Sequence, residues 1–163
     1  MHKTITSLPD IKLVGITTRT SNNQEMKPET SKIGILMQNF FGNNLQEQIV
    51  SRKKPGTVFA VYTHYESDEH EDYTYFLGEE VNHFENIQKG FEKLTIPQQT
   101  YLKLTSNPGK MPSVCINMWQ TIWKMKPADL GGVRTYIADF EIYDNRCQNP
   151  EQAVLDIYIG IQK

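Results

Sequence analysis

The chain has 163 residues, 17 Lys+Arg against 19 Asp+Glu, a net charge of -2, and eight Tyr, seven Phe and two Trp. That balance excludes a general nucleic-acid binder, which presents a basic face, and no apolar run approaches the roughly 20 residues of a membrane span. Two cysteines make no disulfide framework and residues 1–10 lack the apolar core of a signal peptide, so the expectation is one domain over residues 1–163 in the cytoplasm of a bacterium.

Taken in chain order, residues 13–18 read as a strand. Ile33, Leu36, Met37, Phe40 and Phe41 then recur at i, i+3, i+4, i+7 and i+8, one apolar stripe of an amphipathic helix. Pro28 suits the first turn of that helix and Gly42 its end. Arg52-Lys53-Lys54, set before the turn signal Pro55-Gly56, reads as a solvated loop. Residues 57–64 and 73–81 read as strands, the first with Val58, Ala60 and Tyr62 on one face and Phe59 and Val61 on the other. Seven acids crowd this region: Glu66, Asp68, Glu69, Glu71, Asp72, Glu79 and Glu80. They read mostly as a solvated hairpin loop that biases the local field toward cations. Residues 81–97 read as a linker that holds a loop and the entry to the next strand, at 100–104. Cys115, Met118, Trp119, Ile122 and Trp123 repeat the helical spacing, with Pro112-Ser113 before them and Pro127 after. Residues 133–143 and 154–161 read as the last strands.

The order strand, helix, strand, strand occurs twice, and the two helical stripes are 82 residues apart. Two repeats are too few for a solenoid. They fit an α+β fold in which tandem pseudo-twofold halves, about 1–82 and 98–163, share one antiparallel sheet with both helices on one face.

Candidate binding residues follow from this placement. Trp119 and Trp123 on one helical stripe are bulky for a closed core, and a buried indole needs a partner for its N–H. Packing and pocket lining both stay open for them. Phe40 on the matching stripe faces the same region. Tyr73 and Tyr75 share a strand face at the end of the acidic loop. Alternation puts Asp139, Glu141 and Tyr143 on one face of the late strand and Ala138, Phe140 and Ile142 on the other. Either the acids face water, or Glu141 points into an aromatic cavity where a cationic ligand neutralises it. No metal or nucleophile motif is present, and no cofactor is expected.

Several strings together resemble a known family: Thr63-His64-Tyr65-Glu66-Ser67-Asp68, Asp72-Tyr73-Thr74-Tyr75-Phe76-Leu77-Gly78, Trp119-Gln120-Thr121-Ile122-Trp123, Asp139-Phe140-Glu141-Ile142-Tyr143-Asp144 and Leu155-Asp156-Ile157-Tyr158-Ile159. In order and spacing they are similar to the GyrI-like, or AraC-type, effector-binding domains, from about Ile11 to Gln162. The resemblance implies two strand-helix-strand-strand modules around a pocket for cationic aromatic drugs. Glu141 matches the glutamate that meets the ligand's charge, Trp119 and Trp123 match the helix tryptophans, and Tyr73 and Tyr75 match a variable position. Many relatives carry a helix-turn-helix domain, for which residues 1–10 are too short. The expectation is therefore a stand-alone protein similar to those encoded on mobile gene cassettes, without direct nucleic-acid or membrane binding, and with a protein partner or a homodimer left open.

Three functions are compatible with this. The first is a sensor or sequestering protein for a lipophilic cation, related to transcription regulation. The second is a hydrolase of cyclopropane-bearing toxins, with Glu141 as general base and Tyr73 or Tyr143 beside it. The third is an interaction protein like the gyrase inhibitors of the family. The reading placed first is binding.

Overall fold

The computed structural model describes residues 1–163. Nine strands form one sheet: β1 (His2–Leu8), β2 (Ile11–Thr20), β3 (Val58–Thr63), β4 (Tyr73–Glu80), β5 (Glu92–Ile96), β6 (Gln99–Thr105), β7 (Val133–Arg134), β8 (Ala138–Tyr143) and β9 (Asp156–Gln162). The order is β1-β6-β9-β8-β3-β4-β2-β5, with β7 also on β9, and every pairing is antiparallel. The helices are α1 (Asn22–Glu25), α2 (Ile33–Gly42), α3 (Ser113–Lys124) and α4 (Pro127–Leu130). None is long and apolar enough to cross a membrane.

The two halves are β2-α2-β3-β4 and β6-α3-β8-β9, and they meet where β3 pairs with β8. Phe59-Ala60-Val61-Tyr62 and Phe140-Glu141-Ile142-Tyr143 occupy equivalent places in them. Ala60 is the ladder partner of Glu141. Two positions equivalent by the repeat are thus also partners across the seam, so the pseudo-twofold axis passes through this pair. Tyr62 and Tyr143 flank it symmetrically.

Two segments in which no strand is expected turn out to hold one each. Residues 1–10 hold β1, and the expected linker 81–97 holds β5. β1 precedes β2 in sequence yet pairs with β6, while β5 precedes β6 and pairs with β2. Each half therefore extends its leading strand past Pro9 or Pro97 onto the other half's edge. At the crossing the Gln98 N–H donates to Asp10 Oδ1 at 2.7 Å. Neither strand has the dense alternation that signals a half-buried strand, because both lie at edges and face solvent on much of their length.

The long expected strand 133–143 is broken in two. Tyr136 sits at φ +54°, outside the extended region, and the bend separates β7 from β8 along the same side of β9. The Gln99 side chain fills it, donating to the Ala138 carbonyl and accepting from Thr135 Oγ1.

Both major helices cover one face, as Phe40 packs with Ala60, Tyr73 and Tyr75, and Trp119 with Leu102, Ile157 and Ile159. The opposite face buries strand residues alone, among them Phe59, Phe76, Tyr101, Phe140 and Tyr158. Phe140 stacks on Tyr158 with centroids 4.6 Å apart. Alternation along β3 and β8 sends successive side chains to these two cores.

Three local expectations change. Pro28 does not open α2, which begins at Ile33. Its first N–H groups are instead capped from α1, where Glu25 Oε2 accepts from Lys32 N at 2.8 Å and Oε1 from Ile33 N at 3.1 Å. The last residue of each stripe, Phe41 and Trp123, is exposed rather than packed. The basic triplet is not simply solvated, because Arg52 reaches buried Glu79 at 3.4 Å and Lys53 reaches Glu80 at 3.6 Å. Burial pushes the Glu79 carboxyl up, and Arg52 opposes that shift.

β2 and β4 approach each other most closely at Gly15 and Gly78, which are ladder partners. A Cβ on Gly15 would lie 2.1 Å from the Leu77 carbonyl oxygen, and one on Gly78 2.2 Å from that of Val14. Backbone atoms cannot rotate aside as side chains do. Gly15→Ala is therefore expected to destabilise the fold by about 1–3 kcal/mol, the ordinary cost of overpacking. Urea unfolding checks this, and an unchanged midpoint would show that the strands separate freely here.

Candidate functional site

Between the start of α2, the length of α3 and the helix-covered face of the sheet lies a cavity of about 390 Å³, within the range of small-molecule sites. Tyr62 of β3, Tyr65 just beyond it, Tyr73 of β4, and Trp119 and Trp123 of α3 supply its aromatic wall. Ile33 and Cys115, which open the two helical stripes, close its sides. Tyr62 is the hub: its ring meets Tyr73 at 5.4 Å, Tyr75 at 5.3 Å and Trp119 at 5.1 Å between centroids, each edge to face. Such contacts hold the ring planes in fixed relation. Trp123, 46% exposed, stands at the mouth.

Glu141 lies behind this wall, 1% exposed. Its Oε2 accepts from Tyr62 OH at 2.7 Å and from Trp119 Nε1 at 2.6 Å, and its Oε1 accepts from Tyr143 OH. The two tyrosines that flank the pseudo-twofold axis thus each hold one oxygen of the carboxylate that sits on it. Burial, and then the neighbouring Glu141, push the phenols of Tyr62 and Tyr143 well above their ordinary value. The same two causes push the Cys115 thiol up, which favours its neutral form at the cavity wall.

A second buried carboxylate organises the other end of the wall. Asp139 accepts from Arg134 Nη2 at 2.7 Å, from Tyr65 OH at 2.6 Å and from Gly160 N at 2.8 Å. Arg134 also lies over the Tyr136 ring at 4.4 Å. Burial works against the Arg134 charge, but Asp139, Tyr65 and Tyr136 together more than offset it and push that ionisation further up. Two other carboxylates, Glu25 and Glu69, line the cavity itself, whereas Glu141 and Asp139 lie behind its wall. Glu25 accepts only from neutral donors: Thr20 Oγ1 and the two α2 amides. Glu69 takes the Tyr136 hydroxyl and stands 4.0 Å from Arg134. Four carboxylates therefore face one guanidinium, which Asp139 already engages. A cation entering the cavity meets an attractive field in a setting where rings exclude water.

Of the residues singled out from sequence, Trp119, Trp123 and Tyr73 line the cavity. Glu141 does not line it directly, but lies behind Tyr62 and Trp119. Tyr75 and Tyr143 sit beside Glu141 in the layer beneath, and Phe40 is core that packs α2 onto the sheet. Tyr62, Tyr65, Glu25, Glu69 and Arg134 were not singled out. Tyr62 shares the face of Ala60, and only the register that pairs Ala60 with Glu141 reveals its role. Glu69 lay within the acidic loop read as solvated, and Arg134 within a strand read as continuous.

The family model for Cass2, integron-associated effector binding protein, matches residues 4–161. YobU of Bacillus subtilis (strain 168), which carries a transcriptional regulator's name, is 28% identical over 159 residues, covering 98% of this chain and 97% of YobU. An integron cassette protein from the mobile metagenome of Vibrio cholerae superposes with a TM-score of 0.77 at 24% identity, over 98% of this chain and 95% of that one. SAV2435 bound to tetraphenylphosphonium superposes with a TM-score of 0.79 at 14% identity, over 99% and 94%.

Proposed function

The chain belongs to the integron-associated effector-binding proteins, and from that premise we propose that it binds a lipophilic organic cation in the aromatic cavity, as a sensor or a sequestering protein. The observation that carries this reading is the pairing of five aromatic walls with four carboxylates and a single guanidinium that is already engaged. Glu141 supplies charge through a screen of rings whose hydroxyl and indole hydrogens point back at it. A cation with no hydrogen to donate, such as a quaternary or phosphonium centre, fits that screen, because the ring faces attract it while Glu141 neutralises it. The tetraphenylphosphonium held by SAV2435 is such a cation.

A general-base role for Glu141 has less support. Both its oxygens already accept hydrogen bonds, and Tyr62 and Trp119 stand between it and the cavity. A base must reach the water it deprotonates within about 3 Å.

Titration with tetraphenylphosphonium, followed by quenching of Trp119 and Trp123 fluorescence, tests the proposal. Saturable binding is expected, and Glu141→Gln is expected to weaken it by about 1–2 kcal/mol, or 5- to 30-fold. That is the size of one charge pair about 8 Å apart at an effective dielectric of about 20. Tetraphenylborate, of the same shape and opposite charge, is expected not to bind. Equal affinity of wild type and Glu141→Gln, or equal binding of the two tetraphenyl ions, would remove the basis of the reading.

A further inference from the structure

The cation-pocket reading counts Glu25 as one of four charges but gives it no contact with a ligand. Glu25 is not a distant surface acid. It lines the same cavity, on the segment that leads into α2. It enters no ion pair, and three neutral donors hold it in place. A carboxylate offers about four lone-pair directions, so one acceptor position stays free. No ring screens it from the cavity in the way that Tyr62 and Trp119 screen Glu141.

Both carboxylates lie near Tyr73. Its hydroxyl donates to Asn22 Oδ1 at 3.0 Å, at the start of the α1 turn that carries Glu25, while its ring meets Tyr62, which holds Glu141. In agreement with this, the Tyr73 phenol is pushed up by burial first and then by Glu25 and Glu141 together. The cavity thus has an inner negative pole reached only through rings, and an outer one with an open hydrogen-bond acceptor.

We propose that the cavity is built for a lipophilic dication, with a soft, non-donating cationic centre against Tyr62, Tyr73 and Trp119 and a second, hydrogen-bonding ammonium or amidinium on Glu25. This rests on the cation-pocket reading and adds the ligand class. The inner centre needs no hydrogen-bond donor, because Glu141 is already supplied with three. The outer centre needs one, because a charge-assisted hydrogen bond is what an unscreened carboxylate offers beyond its charge. Glu69, the other lining acid, is the weaker partner, since Arg134 and Tyr136 already attend it.

Matched probes test this. Butyltriphenylphosphonium supplies the soft centre alone, and ω-aminoalkyl-triphenylphosphonium ions with two to six methylenes add a terminal ammonium at varied reach. The best aminoalkyl probe is expected to bind wild type about tenfold tighter than the butyl compound, the ordinary worth of one charge-assisted hydrogen bond. In Glu25→Gln that advantage is expected to vanish, while butyltriphenylphosphonium still binds saturably, weakened only by the loss of one lining charge. Saturable butyl binding, with an unchanged far-ultraviolet circular dichroism spectrum, also shows that α2 and the cavity are intact. In Glu69→Gln the advantage is expected to persist. Equal affinity for all probes in wild type overturns the proposal, as does an advantage that survives Glu25→Gln or disappears only in Glu69→Gln. If butyltriphenylphosphonium itself fails to bind wild type, the cation-pocket reading fails first, and the dication proposal falls with it.

Discussion

Replacing Asp139 by Ala is expected to destabilise the protein by about 3–5 kcal/mol, the cost of leaving one half of a buried ion pair without its partner. Asp139 is fully buried, and its two oxygens satisfy three donors on three different elements: Arg134 of β7, Tyr65 beyond β3 and Gly160 of β9. The substitution strands a guanidinium whose side chain is 8% exposed, a phenol and a backbone amide. Glu69 at 4.0 Å is too far to replace a 2.7 Å contact. For a chain of this length the loss corresponds to a melting temperature lower by about 10 °C. Asp139→Ala combined with Arg134→Met removes both charges, and is expected to recover part of the loss, because a buried pair is worth little against apolar groups of similar volume. Urea unfolding of the two single variants and the double variant gives the coupling. A loss below about 1 kcal/mol in Asp139→Ala would mean that water already reaches Arg134. Tyr65 is a cavity wall held by Asp139, so weaker binding of tetraphenylphosphonium is expected to accompany the loss.

Much of this organisation was legible in the sequence, for identifiable reasons. Helical period and strand alternation are local signals, and they placed α2, α3, β3, β4 and β8 and the facing of Asp139, Glu141 and Tyr143. The repeat of strand, helix, strand, strand gave the shared sheet. Pairing that is not local was invisible. The exchange of β1 and β5 between halves depends on which edge each leading strand meets, and nothing within either strand specifies that. The break at Tyr136 likewise answers a distant demand: Gln99 occupies the bend, and Arg134 must reach Asp139.

The candidate site was legible in the same uneven way. Glu141 and Trp119 stood out because a carboxylate and an indole are costly to bury alone, and they bury each other's polar atoms. Tyr62 did not stand out. Its value comes from its place opposite Tyr143 across an axis that only the register of β3 on β8 defines. Glu25 looked like any acid in a polar loop. Its dual position, capping α2 and lining the cavity, follows from the path of residues 21–32 and not from its neighbours in sequence.

Above pH 10 the protein is expected to unfold over a narrow range, because its phenols are buried as neutral groups. Tyr62, Tyr65, Tyr75 and Tyr143 are each pushed well above the ordinary tyrosine value, first by burial and then by Glu141 or, for Tyr65, by Asp139. In the unfolded chain they ionise at about pH 10, the ordinary tyrosine value. The folded state then keeps protons that the unfolded state loses, so stability is fully present below pH 10 and falls as pH rises through it. Each such group contributes about 1.4 kcal/mol per pH unit, so four together remove about 5 kcal/mol per unit. That is comparable to the whole stability of a typical domain, and loss of the fold is expected between about pH 10 and 12. Phenolate absorbance followed alongside far-ultraviolet circular dichroism checks this. The expected result is a cooperative rise in phenolate that coincides with loss of secondary structure. Phenolate that appears gradually around pH 10 with the fold intact would mean that these hydroxyls ionise in place because solvent reaches them in the folded protein. The same outcome would weaken the case for a cation, because water around Tyr62 would screen a ligand's charge from Glu141.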